Sequence, residues 1–334
     1  MDDLHSSGKV FKEAVALAGR APSLFNVQPW KWQFGVSSLH LELDLSRALS
    51  ATDPTNRELT VSCGAALHHA VLALKTRGWQ VQVHRIPDPA TPQKLATIDV
   101  VAHAEPSDTE IALTQAACVR HSDRRQYAPD PVSAAVLRSL VEVGEQAGAD
   151  VVVAEDDHRY ALAQAFAKAA FIHGASAEYR RELAAWTGFS SAGTQGMAKE
   201  NAPPPGGQYG DLVMRDFGRV AITHGEVGSS RTAGSLLLVS TPTDDPLAHL
   251  KACEATSAML CTAEVAGLAS SPLGEAFEIE ETRAAVRREV LGDASYPQLA
   301  LWVGWPSELR KPPATPRRPV DELLREIANI QPSD

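Results

Sequence analysis

The chain has 334 residues, 44% of them apolar and 22% charged, with 22 glycines and 22 prolines. That length and balance suit one large globular domain or two ordinary ones and exclude a disordered, collagen-like or coiled-coil protein. Lys and Arg number 31 against 41 Asp and Glu, a net charge of -10 that repels phosphate backbones, so no nucleic-acid partner is expected.

Met1 to Lys9 is acidic and polar, unlike a secretory leader. Residues 9–20 pattern as an amphipathic helix, and 31–45 alternate around a Ser-Ser turn as a hairpin. Residues 59–77 are apolar nearly all round, which predicts a buried helix closed by Gly78. Strands follow at Gln80–Arg85 and Ala96–Ala102, then a polar link at Ala104–Asp108. A second series begins with a helix over 133–148, N-capped by Ser133, a strand at Val151–Ala154 and an Ala-rich helical region over 156–186. Periodicity then fails across WTGFSSAGTQGMAKENAPPPGGQYG, so an insertion over about 186–230 reads as either a mobile excursion or a lid, with Trp186, Phe189 and Tyr209 in it. Ser235–Ser240 is a buried strand, 246–267 a second all-round apolar helix with a Gly end, and Tyr296–Gly304 a strand. The tail from Pro306 to Arg318 is rich in Pro and base.

No run of about twenty apolar residues exists to span a bilayer, so no membrane is expected. Cys63, Cys118, Cys253 and Cys261 form no C-x-x-C pair and read as reduced thiols of a cytoplasmic protein. His68 and His69, adjacent on a helix, point to different faces and read as core or surface histidines; no metal is expected. Met259 and Cys261 are core by spacing.

Two strings carry chemistry. Ala21-Pro22-Ser23-Leu24-Phe25-Asn26-Val27-Gln28-Pro29-Trp30 joins a helix to a strand. An ordinary turn explains Pro22 and Asn26, but not three amide or hydroxyl side chains beside Pro29 and Trp30. In Arg120-His121-Ser122-Asp123-Arg124, an extended backbone puts Arg120, Ser122 and Arg124 on one face. Two guanidinium forks flanking a hydroxyl suit a phosphate monoester; a solvated basic loop is the plain alternative. Pro316-Arg317-Arg318-Pro319 could join the same anion site. There is no G-x-S-x-G, H-E-x-x-H or Walker loop, and no protein acid, base or nucleophile is assigned as catalytic.

These strings resemble the FMN-dependent nitroreductase family. Residues 21–30 match its P-S-x-x-N-x-Q-P-W loop, and 120–132 its opening R-x-S-x-R segment with a Pro-Val pair. Residues 266–274 resemble its segment beside the flavin ring, and 316–319 its closing Arg stretch. The order departs from the family, because the loop motif here precedes the Arg motif by about a hundred residues. Two tandem degenerate halves account for this, each having lost what the other kept.

The resemblance implies an α+β nitroreductase-like fold: an intramolecular pseudo-dimer with central mixed sheets and buried helices, its halves at 1–108 and 109–334. It implies one FMN per chain and a monomer. Arg120, Ser122 and Arg317 or Arg318 would hold the phosphate, and Arg124 would reach the N1 and C2-carbonyl edge. Ser23, Asn26, Val27, Gln28, Pro29 and Trp30 would supply the ribityl and ring-edge side. Backbone of Pro272, Leu273 and Gly274 would line the ring near N5. The implied activity is NAD(P)H-dependent reduction of a small nitroaromatic or quinone-type electron acceptor. The alternative is a non-catalytic protein that stores FMN under a closed lid.

Overall fold

Two sheets of the same strand order, each with an all-round apolar helix between its second and third strands in chain order, organise the chain. The computed structural model describes residues 2–189, 193–198, 201, 208–217, 231–308 and 311–327. The first unit runs α1 (Asp2–Ala18), β1 (Trp30–Phe34), β2 (Ser38–Leu43), α2 (Arg57–Thr76), β3 (Trp79–Arg85) and β4 (Lys94–His103). On β1, Trp30 and Trp32 are fully buried while Lys31 and Gln33 reach solvent, the two-residue period of a half-buried strand. α2 is buried along nearly its whole length, as its composition requires. Its first turn is tied down by the Asp53 carboxylate, which accepts the Leu59 N–H at 3.0 Å.

α3 (Asp108–Val119) follows, opened by a capping box in which Ser107 and Glu110 exchange side-chain bonds. The predicted polar link therefore shrinks to the residues before it. The second unit runs α4 (Ala134–Gln146) and β5 (Asp150–Ala154), then α5 (Asp156–Ala175) and α6 (Ala177–Trp186). The single long helical region expected over 156–186 breaks at Ser176, whose side chain accepts the Tyr179 N–H and starts a new helix. Two small ribbons come next: β6 (Thr187–Phe189) with β7 (Met197–Ala198), and β8 (Gln208–Tyr209) with β9 (Leu212–Val213). Most of the 186–230 insertion, including the run Pro203–Gly207, lies outside the described residues. The unit closes with β10 (Ser235–Thr241), α7 (Pro246–Val265), β11 (Ala269–Leu273), α8 (Glu280–Leu291) and β12 (Tyr296–Gly304). α9 (Val320–Leu323) and β13 (Leu324–Glu326) end the described chain.

The sheets are β13-β1-β2-β4-β3 and β11-β12-β10-β5, so β1-β2-β4-β3 in one corresponds to β5-β10-β12-β11 in the other. Neighbours are antiparallel except β13, which lies parallel to β1 with Leu324 opposite Trp32. The expectation of mixed sheets thus holds for the first sheet alone, and there because the tail returns to the open edge of β1.

α2 and α7 pack on each other more extensively than any other pair of helices. His68 on α2 and Ser257 on α7 hydrogen-bond across this contact at 2.9 Å, and they lie 189 positions apart. The same separation relates Gly78 to Gly267, the left-handed glycines (φ 81° and 77°) that end the two helices. Gly64 permits the close approach, because a Cβ there would lie 2.2 Å from the Leu250 carbonyl oxygen. Two apolar cores result, one under each sheet, with Leu250, Cys253 and Cys261 of α7 reaching into the first. Among the described residues no helix is long and apolar enough to cross a membrane.

Candidate functional site

One cavity is lined by both units: by α2, by α7, by the 20–26 loop, by the 120–124 segment, by the end of β11 and by the tail at 314–317. Arg120 follows directly on α3, where extended backbone replaces helix. The segment then pairs with the second sheet through Ser122 and Ser270, and the Asp123 N–H donates to the Ser270 carbonyl at 2.9 Å. Arg120, Ser122 and Arg124 all line the cavity, as the alternation of extended backbone requires, and the half-buried His121 between the first two touches it as well. Asp123 turns the other way and pairs with Arg125 at 2.6 Å.

The arginines are the unusual feature. Arg120 is 8% exposed, and its Nε and Nη1 are buried without a hydrogen-bond partner. Its Nη2 reaches only the Arg20 carbonyl, at 3.5 Å. Arg317 donates to Asn26 Oδ1 at 3.0 Å and to backbone carbonyls, but its Nε is also unpartnered. Burial, then the charges of Arg120 and Arg20, push Arg317 down to about 9. Burial first, then the charge of Arg215, pushes Arg124 down to about 10. None of Arg120, Arg124 and Arg317 forms an ion pair among the described residues. Buried cations with orphaned donors are costly unless an anion joins them, and a phosphate monoester offers both the charge and the acceptors.

The 21–30 loop takes a strained path, with Phe25, Asn26 and Gln28 all at positive φ (48°, 57° and 51°). Its own polar groups hold it there. Ser23 Oγ accepts the Gln28 N–H at 3.0 Å. Asn26 Nδ2 donates to the Gly196 and Pro316 carbonyls, both at 2.9 Å. Gln28 donates to the Thr194 carbonyl at 2.9 Å and accepts the Arg318 N–H at 2.9 Å. The loop, the insertion and the tail are thereby laced together.

Of the residues singled out from sequence, Ser23, Asn26, Arg120, Ser122, Arg124, Pro272, Leu273, Gly274 and Arg317 line the cavity. Val27, Gln28, Pro29, Trp30 and Arg318 are absent from its lining. Gln28 is fully buried bracing, Trp30 belongs to the first core, and Arg318 leans on Glu322 at 3.5 Å.

Sequence reasoning missed an acidic end. Glu58, from the first turn of α2, lines the cavity close to Gly274, where an added Cβ would lie 3.5 Å from its Oε2. Burial pushes Glu58 up to about 8; Glu278 and Asp53 add to this, and Arg57, bonded to it, opposes it. Glu275 is bridged to His173 at 3.1 Å. The one local signal was a charged Arg57-Glu58 pair opening an otherwise apolar helix.

The insertion supplies part of the wall through Met197, Asn201, Val213, Met214, Arg215 and Phe217. Arg215 is clasped by Glu278 and the Tyr179 hydroxyl and lies 4.9 Å from the Phe25 ring centre. Arg124 lies 5.5 Å from the Phe217 ring centre, and the Tyr209 hydroxyl donates to the Arg124 carbonyl at 3.0 Å. The described part of the insertion therefore forms part of the cavity wall and is pinned at several points.

No protein-family model matches the chain. Two proteins of Mycobacterium tuberculosis strain H37Rv are similar over nearly their whole length. "Putative NAD(P)H nitroreductase Rv3131" is 37% identical over 315 residues, 94% of this chain and 90% of that one. "Putative NAD(P)H nitroreductase acg" is 33% identical over 328 residues, 97% of this chain and 98% of that one. Solved structures are more distant. The FMN-dependent nitroreductase NfnB of Mycobacterium smegmatis, in complex with NADPH, shares 19% identity over 60% of this chain and 90% of its own, at a TM-score of 0.36. The FMN and NADPH-dependent nitroreductase NfnB of Sphigopyxis sp. strain HMH shares 21% over 64% and 97%, at a TM-score of 0.40. Full-length identity at this level, with the cavity's arginine and loop motifs, makes the chain a member of the NAD(P)H nitroreductase family.

Proposed function

We propose that the chain is an FMN-binding flavoprotein that passes electrons from NAD(P)H to a small acceptor of the nitroaromatic or quinone type. The observation that carries the reading is the pair of buried arginines, Arg120 and Arg317, with orphaned donors in one cavity. Arg120, Ser122 and Arg317 would hold the phosphate. Arg124 sits on the same face two residues beyond Ser122 and would set a positive charge at a ring edge that becomes anionic on reduction. Ser23 and Asn26 would flank the ribityl chain, and the β11 end at Pro272–Gly274 would line the ring. When bound, FMN supplies the hydride chemistry, so the protein's part is binding, orientation and exclusion of water.

The reading includes one FMN per chain, held between two related halves of a monomer, in the cytoplasm. The shared strand order and the 189-residue relation between the central helices support the two related halves. In the other half the related position is filled by Arg85 and Glu254, bonded to each other at 2.6 and 2.8 Å.

A second reading is favoured by the wall from the insertion. Arg215, pinned by Glu278 and Tyr179, holds that wall over the cavity. A permanently closed wall would make the protein a store for FMN rather than a turnover enzyme. Stopped-flow mixing of the flavin-loaded protein with NADPH and with dithionite separates the two. Reduction by both, followed by turnover with a quinone, supports the oxidoreductase. Reduction by dithionite alone supports storage. Failure to bind flavin contradicts both.

A further inference from the structure

Outside the cavity lining, three side chains of metal-ligand type converge between α2 and α7. His68 and His69 are neighbours on α2 and Cys261 lies on α7. Adjacent helix positions point about 100° apart, which is why the sequence places the two rings on different faces. In the structure one ligand atom from each ring and the Cys261 Sγ nonetheless lie within 4.8 Å of one another, because Cys261 arrives from the helix packed against both. His69 and Cys261 are fully buried and His68 is half-buried.

The imidazoles are held from outside the cluster. His69 Nδ1 lies 3.2 Å from the Leu17 carbonyl oxygen, which can only accept, so the ring proton is on Nδ1 and Nε2 carries a lone pair. That Nε2 is buried and has no hydrogen-bond partner. His68 Nδ1 is engaged by Ser257 Oγ at 2.9 Å. A ring fixed at one nitrogen by a carbonyl or hydroxyl and bare at the other is how proteins orient a metal-bound histidine. A buried lone pair beside a buried thiol, with nothing donating to it, otherwise costs stability for no return.

We propose that His68, His69 and Cys261 form a low-coordinate site for a soft monovalent cation, with Cu+ as the ion whose chemistry fits. Two neutral imidazoles and a thiolate are a soft donor set. Binding releases the thiol proton to solvent, and no oxidation state changes. The thiolate then balances a single positive charge. A divalent ion would leave a buried net charge near Arg120, whose own charge already acts on both His69 and Cys261. Metal–ligand bonds of about 2.0–2.3 Å call for donor separations of about 3.5–4 Å, so closing the site takes only small side-chain rotations.

The test titrates the full-length, flavin-loaded protein with Cu+ under anaerobic conditions against the chromophoric chelator bicinchoninate. Wild type and Cys118→Ser, which removes the one exposed thiol, are expected to take one Cu+ per chain with equal affinity. Cys261→Ser and His69→Gln are expected to bind about 100-fold more weakly, with flavin content and circular dichroism unchanged. Copper-edge X-ray absorption of the wild type, independent of how the variants fold, is expected to show one sulfur and two nitrogen neighbours. The proposal is overturned if wild type does not compete with the chelator, if Cys118→Ser abolishes binding, or if equimolar Zn2+ displaces Cu+.

Discussion

Arg85, at the end of β3, stands in the first sheet where Gly274, just past β11, stands in the second; the two are separated by the same 189 positions that relate His68 to Ser257. The Arg85 guanidinium reaches across to Glu254 on α7 in a two-pronged bond of 2.6 and 2.8 Å. Glu254 is buried, and burial raises its pKa while Arg85 opposes the rise. Gly274 places no side chain at all, and the cavity opens beside it. Of two related positions, one is filled by a paired guanidinium and carboxylate and the other is left free. That difference is the physical content of the one-site reading.

Putting a side chain at Gly274 should therefore close the remaining site. Gly274 has φ -107°, so other residues are permitted there, and an added Cβ would meet Glu278 and Glu58 oxygens no closer than 3.4 and 3.5 Å. An arginine would be drawn to those carboxylates and fill the cavity. Gly274→Arg is expected to lower flavin content by about tenfold or more, with the circular dichroism spectrum retained. A variant that purifies as yellow as the wild type would contradict the placement of the ring.

Arg120→Ala and Arg317→Ala each remove a charge-assisted bond worth about 1.5–3 kcal/mol, so FMN should bind roughly 10- to 100-fold more weakly. Riboflavin lacks the phosphate and should bind wild type and variants alike. The flavin-free Arg120→Ala variant should melt no lower than wild type, because a buried, nearly unbonded cation has been removed. Fluorescence titration with both flavins checks the first claim and calorimetry the second. Equal losses for FMN and riboflavin would move the phosphate elsewhere.

Glu58 makes stability depend on pH in a defined sense. Its pKa in the folded protein is pushed up to about 8 from an ordinary 4.5, mainly by burial. Between those values the folded chain keeps a proton that the unfolded chain releases. The stability tied to it is complete below the ordinary value and is lost as pH rises through about 8. Glu58→Gln lacks this loss, so it should gain on wild type between pH 5 and 8 by up to about 1.4 kcal/mol per unit. Denaturant titrations at several pH values measure it, and a pH-independent difference would show that Glu58 is ionised throughout.

Arg215 is the clasp on the wall. Arg215→Met leaves Glu278 without its guanidinium partner and removes one of the points that pin the segment at 208–217. Bound FMN should then exchange with free flavin roughly tenfold faster, with a stability loss of about 3–5 kcal/mol. If storage is the role, the same change should raise the rate of reduction by NADPH. Unchanged exchange would mean that the wall is held elsewhere.

Much of this site is legible in the chain because alternation is a short-range property. Arg120, Ser122 and Arg124 share a face for the reason their spacing states, and the all-round apolar runs at 59–77 and 246–267 are the two packed helices. The 21–30 string marks a loop whose first half lines the cavity, but string similarity carries no side-chain direction. Gln28 and Trp30 therefore turn out to brace the fold rather than line the cavity. α3 is absent from the sequence reading although Ser107 and Glu110 stand at capping-box spacing, whereas α8 hides its period under charged residues and β13 spans only three residues. Glu58 and Arg215 meet the cavity only through long-range packing, which no local pattern encodes.

The most direct measurement is the flavin-to-protein ratio of reconstituted material together with its mass in solution. One FMN per chain at monomer mass is the predicted result. Two FMN per chain would show that the Arg85–Glu254 position is open after all, and no bound flavin after reconstitution would remove the basis for assigning Arg120 and Arg317 to a phosphate.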